Sequence, residues 1–262
     1  MAFQFFSFNT GEKNRLYLPN AYRRSVAWLP QIGDIFPDFS VDTTQGPLRF
    51  FDWAEGSWSY LFSHPSAQTP VCTSELLALA SAMPDFEAKG VKLLGFSGST
   101  LEEQESWHAD VARLFGVTVS YPFVADTGCR MGRRFGMIHD KQSATYPIRK
   151  SFIIDPEMRI RMIFEYPLYV ARSTEEVLRM IDALQVQDRT GLAVPADWVP
   201  GDDLLYPENR TDPEMTTHYG SDFVRLTTYL AVIRNAFWEK DAAKRRNCDT
   251  RELGPEIRLV TD

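Results

Sequence analysis

The period of apolar and polar positions changes several times along the chain, and each change marks an element. Trp58-Ser59-Tyr60-Leu61-Phe62 is an apolar run that reads as a buried strand, and Leu76–Ala82 is built mostly of good helix formers. Between them lies a strand-to-helix turn, with Thr69 at the N-cap and Pro70 at the first helical position, where a missing N–H costs nothing. Leu48–Trp53 reads as a strand, and Val91–Ser97 as a buried one. Ser99-Thr100-Leu101-Glu102 fits a capping box opening a helix through about Phe115, with Leu101, Trp107, Val111 and Leu114 at core spacing. Tyr121–Asp126 and a short helix through Arg134 follow. Ser151–Ile154 and Ile160–Phe164 make a hairpin around Asp155-Pro156-Glu157, and a second capping box at Ser173–Glu176 starts a helix through about Leu184. Strands alternating with helices, then a hairpin and a helix, argue for an α/β layered domain.

The two ends carry different patterns. Phe3, Phe5, Phe6 and Phe8 crowd the first 30 residues without clean alternation, as in an arm that covers a surface or meets a subunit. Val194–Asp202 is Pro-rich and polar, a linker by its chemistry. Phe223, Leu226, Leu230, Ile233, Phe237 and Trp238 fall at helical spacing, followed by Lys240, Lys244, Arg245 and Arg246, which suit a helix C-terminus. The expected organisation is an arm over 1–30, a domain over 31–190, and a subunit-contacting C-terminal extension over 191–262.

With 262 residues the chain can bury a real core, and its net charge of −7 argues against nucleic acid or an anionic membrane as partner. No apolar run is long enough to span a bilayer, and Glu12, Lys13 and Arg15 interrupt any secretory pattern at the N-terminus. Cys72, Cys129 and Cys248 are odd in number and far apart, which suits a reducing compartment, read here as the cytoplasm. No Cys/His/Asp spacing resembles a zinc site, and His108, His139 and His218 have no motif around them.

The candidate chemistry lies in the strand-to-helix turn. Cys72 falls in the first helical turn, where free N–H groups and the positive end of the dipole favour a thiolate. Pro65, Thr69 and Cys72 satisfy P-x-x-x-T-x-x-C, and the longer stretch reads S-H-P-x-x-x-T-P-V-C-T-x-E. This resembles the active-site signature of the peroxiredoxins, and in particular the one-cysteine (peroxiredoxin-6-like) subfamily of the AhpC/TSA group. Gly33–Phe39 is similar to the G-D-x-x-P-D-F entry of that family, and Val194–Asp202 to the start of its C-terminal extension. The resemblance covers roughly residues 31–207.

It implies a thioredoxin-like fold, a central mixed sheet flanked by helices with a C-terminal extension. It also implies a thiol-dependent peroxidase that reduces hydrogen peroxide and small organic hydroperoxides through a cysteine sulfenic acid. Cys72 would be the nucleophile, with Thr69, Pro65 and Arg149 forming its pocket. Arg149 matches the family's active-site arginine by its R-x-x-F-x-x-x-P context, and Arg172 resembles a second one. Thr69 could accept from the Cys72 amide and donate to sulfur or peroxide; Val71 could add a backbone donor. His64 would lie near the sulfur. No bound cofactor or metal is implied. The partners expected are the peroxide, an external thiol of thioredoxin, glutaredoxin or glutathione type, and further copies of the chain as a homodimer or ring of dimers. Cys129 reads as structural, whereas Cys248, among Lys244, Arg245 and Arg246, is a candidate resolving cysteine.

Some relatives carry a lipase-type G-x-S-x-G elbow just before S-H-P. Here that place reads Glu55-Gly56-Ser57-Trp58-Ser59, and Phe51 stands where those relatives have a histidine, so a phospholipase is not expected. The alternatives are a redox-regulated chaperone or peroxide-sensing protein on the same fold, and, more weakly, a Cys/His hydrolase.

Overall fold

The computed structural model describes residues 29–208, 211–219 and 222–234. It divides into two units, one ending at Thr174 and the other starting at Glu175. The first holds seven strands: β1 (Ser40–Thr43), β2 (Gly46–Arg49), β3 (Trp58–Ser63), β4 (Val91–Ser97), β5 (Phe123–Ala125), β6 (Arg149–Ile154) and β7 (Ile160–Tyr166). They form one mixed sheet in the order β2-β1-β5-β4-β3-β6-β7. Its helices are α1 (Phe50–Ala54), α2 (Pro70–Ser81), α3 (Met83–Ala88), α4 (Leu101–Phe115) and α5 (Arg130–Arg134).

Strand β3 is buried along its whole length because it is central, parallel to β4 and antiparallel to β6. A strand covered on both faces loses the polar alternation of a half-exposed one, hence its apolar run. Alternate side chains still part to opposite faces. Leu61 joins Leu94, Phe96, Phe152 and Ile154 in a core that also takes in Phe36, Phe50 and Phe135. On the other face Tyr60 and Phe62 stack 5.4 Å apart, and Phe62 meets Phe123 edge-on at 5.7 Å. Gly95 in β4 makes room for that ring: a Cβ there would lie 2.3 Å from Phe123.

Three local expectations shift. The Leu48–Trp53 strand ends at Arg49 and the chain turns into α1, burying Phe50 and Ala54 at helical spacing while Asp38 accepts from the Phe51 N–H. The capping box of α4 is Thr100 with Glu103, one residue later than read. Trp107 and Val111 are core as expected, but Leu114 is 61% exposed.

In the second unit α6 (Thr174–Thr190) runs past Leu184, and β8 (Leu204–Leu205), α7 (Asp212–Tyr219), β9 (Phe223–Thr227) and β10 (Leu230–Ile233) follow. The strands make a small sheet ordered β8-β10-β9. Residues 223–233 are thus an antiparallel hairpin, not the helix expected from their spacing. Val224, Thr227, Thr228, Tyr229, Val232 and Ile233 are β-branched or aromatic, and that preference outweighs the helical spacing of the apolar positions. The basic residues proposed to end the helix lie outside the described residues. Most of Val194–Asp202 is exposed or half-buried, but Trp198 anchors it: the ring is buried with Val186, Leu204 and Met215, and its Nε1–H donates to the Asp202 carbonyl at 3.1 Å. No helix among the described residues is long and apolar enough to cross a membrane.

Candidate active site at the start of the Cys72 helix

The turn from β3 into α2 is fastened from several sides. Ser63 Oγ, at the end of β3, donates to the Ile148 carbonyl at 2.6 Å and accepts from the Lys150 N–H at 3.2 Å, which brackets Arg149. The His64 N–H donates to the Phe96 carbonyl at 3.0 Å, and the Ala67 N–H to Ser99 Oγ at 3.0 Å. Thr69 is extended at the N-cap (φ −111°, ψ 148°) and Pro70 opens the helix, as its sequence predicts. The Thr69 hydroxyl does not cap: it donates to the Ser66 carbonyl at 3.2 Å instead of meeting the Cys72 amide. The first helical bond runs from the Thr73 N–H to the Thr69 carbonyl at 2.8 Å. This leaves Cys72 in the first turn and only 1% exposed.

The sulfur faces an arginine. Arg149, at the start of β6 and 2% exposed, donates through Nη1 to Cys72 Sγ at 3.4 Å. The same Nη1 donates to Glu75 Oε2 at 2.6 Å, while Nε and Nη2 donate to the Leu168 carbonyl at 2.9 and 2.7 Å. Glu75 lies three residues after Cys72, hence on the same helix face. Arg172 grips it with its backbone N–H (2.9 Å) and Nε (2.8 Å) on Oε1 and with Nη2 (2.9 Å) on Oε2. Burial alone would raise the Glu75 carboxyl, but the charge and hydrogen bonds of Arg172, with Arg149 behind, hold it below the ordinary carboxylate range. Two guanidinium groups against one carboxylate leave one positive charge in excess inside the protein. Cys72 Sγ lies 3.4 Å from one of those guanidinium groups.

His64 is 3% exposed, packed 5.2 Å from Trp107 and 5.1 Å from Phe123, ring centre to ring centre. Neither ring nitrogen has a hydrogen-bond partner, and burial pushes its pKa down to about 3, so at neutral pH the ring is uncharged. Pro65 and Val71 are half-buried on either side of the turn. Cys129 is held apart from this network: its thiol donates to the Thr145 carbonyl at 3.1 Å, and burial raises its pKa. Cys248 lies outside the described residues. Among the described residues, no group of three or more His, Cys, Asp or Glu side chains could hold a metal ion.

The AhpC/TSA family model matches residues 32–163, and the C-terminal domain of 1-Cys peroxiredoxin matches residues 183–221. The chain belongs to the peroxiredoxin family. It is 41% identical to a peroxiredoxin of Aquifex aeolicus, over 67% of this chain and 79% of that one. It is 33% identical to a 1-Cys peroxiredoxin of Dictyostelium discoideum, over 77% and 84%. Among solved structures, a yeast mitochondrial 1-Cys peroxiredoxin superposes with a TM-score of 0.72 at 37% identity, covering 78% of this chain and 98% of that chain. A cysteine mutant of peroxiredoxin 6 from Arenicola marina gives the same TM-score at 34% identity, covering 78% and 97%.

The fold is therefore the thioredoxin-like one of peroxiredoxins with a C-terminal extension, and the activity is that of a thiol-dependent peroxidase. The chaperone or sensor alternative is not favoured. Within this peroxiredoxin, Glu75 is the residue that sequence reasoning left out of the site. The C-T-x-E spacing puts it on the Cys72 face of the helix, but only the fold shows that this face is buried.

Proposed function

We propose that Cys72 is the peroxidatic nucleophile, with Arg149, Thr69 and Pro65 shaping its pocket and Arg172 and Glu75 holding Arg149 in place. The observation that carries this reading is the 3.4 Å contact from Arg149 Nη1 to Cys72 Sγ in a cluster with one positive charge in excess. The thiolate attacks one oxygen of the peroxide; an S–O bond forms as the O–O bond breaks, and the departing oxide takes up a proton to leave as water or an alcohol. Charge moves from sulfur to that oxygen, where a fixed guanidinium and the N–H groups of the first turn stabilise it most. The product is a Cys72 sulfenic acid.

Hydrogen peroxide and small organic hydroperoxides suit a pocket this closed. The reductant is an external thiol, in keeping with the glutathione/thioredoxin systems named for the yeast relative. The protein works without a bound cofactor, as a homodimer or ring of dimers. The arm over 1–30, read as a surface cover or a subunit contact, lies outside the described residues; the extension over 191–262 is taken to meet a second copy of the chain, and Cys248 is a candidate resolving thiol. The cysteine count favours a reducing compartment such as the cytoplasm, although a relative from Saccharomyces cerevisiae is named mitochondrial.

One equivalent of peroxide added to the purified protein, followed by mass spectrometry, tests the assignment. Oxidation is expected at Cys72, and Cys72→Ser is expected to abolish peroxide consumption. Undiminished consumption by that variant overturns the proposal.

A further inference from the structure

The two halves of the site come from distant parts of the chain. Pro65, Thr69, Cys72 and Glu75 ride on the turn after β3 and on α2, whereas Arg149 opens β6. Backbone pairing between β3 and β6 runs from Ser59 with Ile154 to Phe62 with Ser151. The next pair in that register would be Ser63 with Lys150, and there the ladder stops. The N–H that follows, that of His64, goes to the Phe96 carbonyl on the other side.

The Ser63 side chain takes over where the ladder ends. It is fully buried, donates to the Ile148 carbonyl at 2.6 Å and accepts from the Lys150 N–H at 3.2 Å, with the Lys150 carbonyl also 3.2 Å away. That first carbonyl and that N–H belong to the two peptide planes that meet at the Arg149 Cα. Fixing both planes fixes both backbone dihedrals of Arg149, and with them the direction in which its side chain leaves the strand. A guanidinium roughly 6 Å from its Cα moves by about 1 Å for a turn of about 10° there. A misplacement of about 1 Å can cost about 100-fold in rate. The far end of Arg149 has its own holds on Glu75 and the Leu168 carbonyl, which absorb part of such a shift. Ser59, on the same strand and the same face, supplies the contrast. It is equally buried, but its hydroxyl has no hydrogen-bond partner among the described residues. We propose that Ser63 is a positioning residue for the peroxidase reaction: through the backbone on either side of Arg149 it sets where Nη1 stands against Cys72 Sγ. It acts through Arg149 and not on the peroxide itself. The inference rests on the peroxidase reading above.

The test measures oxidation of Cys72 by hydrogen peroxide, in the full-length chain, for the parent, Ser63→Ala, Ser59→Ala, Arg149→Lys and the double variant Ser63→Ala/Arg149→Lys. Ser63→Ala removes a donor and an acceptor at once. It is expected to slow oxidation about tenfold, the worth of a neutral hydrogen bond felt in the transition state. Ser59→Ala, which removes a hydroxyl that holds nothing, is expected to oxidise within about twofold of the parent. A residue that only stabilises the fold slows every background alike, whereas one that acts through Arg149 has little left to do once the planar fork is gone. Ser63→Ala is therefore expected to slow Arg149→Lys by less than about twofold. Oxidation of Ser63→Ala close to the parent rate, an equal slowing by Ser59→Ala, or the same factor in both backgrounds overturns the proposal. Should Ser63→Ala fail to fold, Ser63→Cys stands in for it, since a thiol is a weak donor and a weak acceptor, with oxidation at Cys72 located by fragment-ion mass spectrometry. A parent chain that consumes no peroxide through Cys72 overturns the peroxidase reading and this proposal with it. An active parent with an unaffected Ser63→Ala overturns the proposal alone.

Discussion

Glu75→Gln is the most informative perturbation of the site, because the carboxylate touches both arginines and not the reactants. It accepts four hydrogen bonds, one from Arg149 and three from Arg172. Glutamine keeps the shape but offers one acceptor oxygen, and its NH₂ group meets guanidinium N–H groups that need an acceptor. Breaking a buried ion pair from one side costs about 3–5 kcal/mol, since the remaining charge stays buried without its partner. At about 2–4 °C per kcal/mol for a chain of this size, the melting temperature should fall by roughly 6–20 °C. Arg149 retains its two bonds to the Leu168 carbonyl, so it stays near the sulfur but loses the contact that sets Nη1. A charge-assisted hydrogen bond of about 1.5–3 kcal/mol, if felt in the transition state, corresponds to a loss of about 10- to 100-fold in the rate of Cys72 oxidation. Stopped-flow mixing with hydrogen peroxide and a thermal melt on the same sample read both effects. A variant that oxidises within twofold of the parent and melts within 3 °C of it refutes the reasoning.

The other expectations follow from single contacts. Arg149→Lys should lose about 10²- to 10³-fold in peroxide oxidation, because an ammonium cannot hold sulfur, Glu75 and the Leu168 carbonyl with one planar fork; a near-parental rate means that charge alone suffices. Gly95→Ala should destabilise the protein by about 1–3 kcal/mol, since its Cβ would sit 2.3 Å from the Phe123 ring, and an unchanged denaturation midpoint would show that the ring moves freely. His64 is neutral in the fold with a pKa of about 3 against an ordinary 6.5, so the unfolded chain binds the extra proton and stability falls as pH drops from about 6.5 toward 3. At two pH units below 6.5 the cost is about 3 kcal/mol. His64→Phe should flatten that slope in urea titrations between pH 6.5 and 4.5, with His108, pushed by burial to about 4, unchanged in both proteins; parallel curves would contradict the burial argument.

Whether a feature could be read from the sequence depended on whether its cause was local. The Cys72 turn was legible because proline at the first helical position, the extended residue it favours before itself and the apolar strand upstream act within a dozen residues. The hairpin around Asp155 was legible for the same reason: its turn is closed by that residue's own carboxylate, which accepts from the N–H groups of Glu157 and Arg159. The 223–233 hairpin was not, because its apolar residues fit two periods and the choice fell to pairing with β8, some twenty residues upstream. Leu114 has the spacing of a core residue, yet it is exposed and lines an open groove between the start of α2 and the side of α4, with Thr73 and Trp107; periodicity gives a face, not what covers it.

The site shows the same division more sharply. Arg149 and Cys72 are 77 positions apart, and only the pairing of β3 with β6 brings the guanidinium to the sulfur. Sequence context could nominate each residue, but not the carboxylate between them. A charged residue at a helix start is ordinarily solvated, and a charge in sequence carries no mark of burial. Here the helix turns Cys72 and Glu75 to one face, and that face is sealed. Once the carboxylate is inside it requires a cation; once Arg149 and Arg172 both answer it, the cluster holds a surplus of positive charge. Cys72 Sγ lies against this surplus, so the residue overlooked in sequence is what allows two arginines to stay buried beside that sulfur.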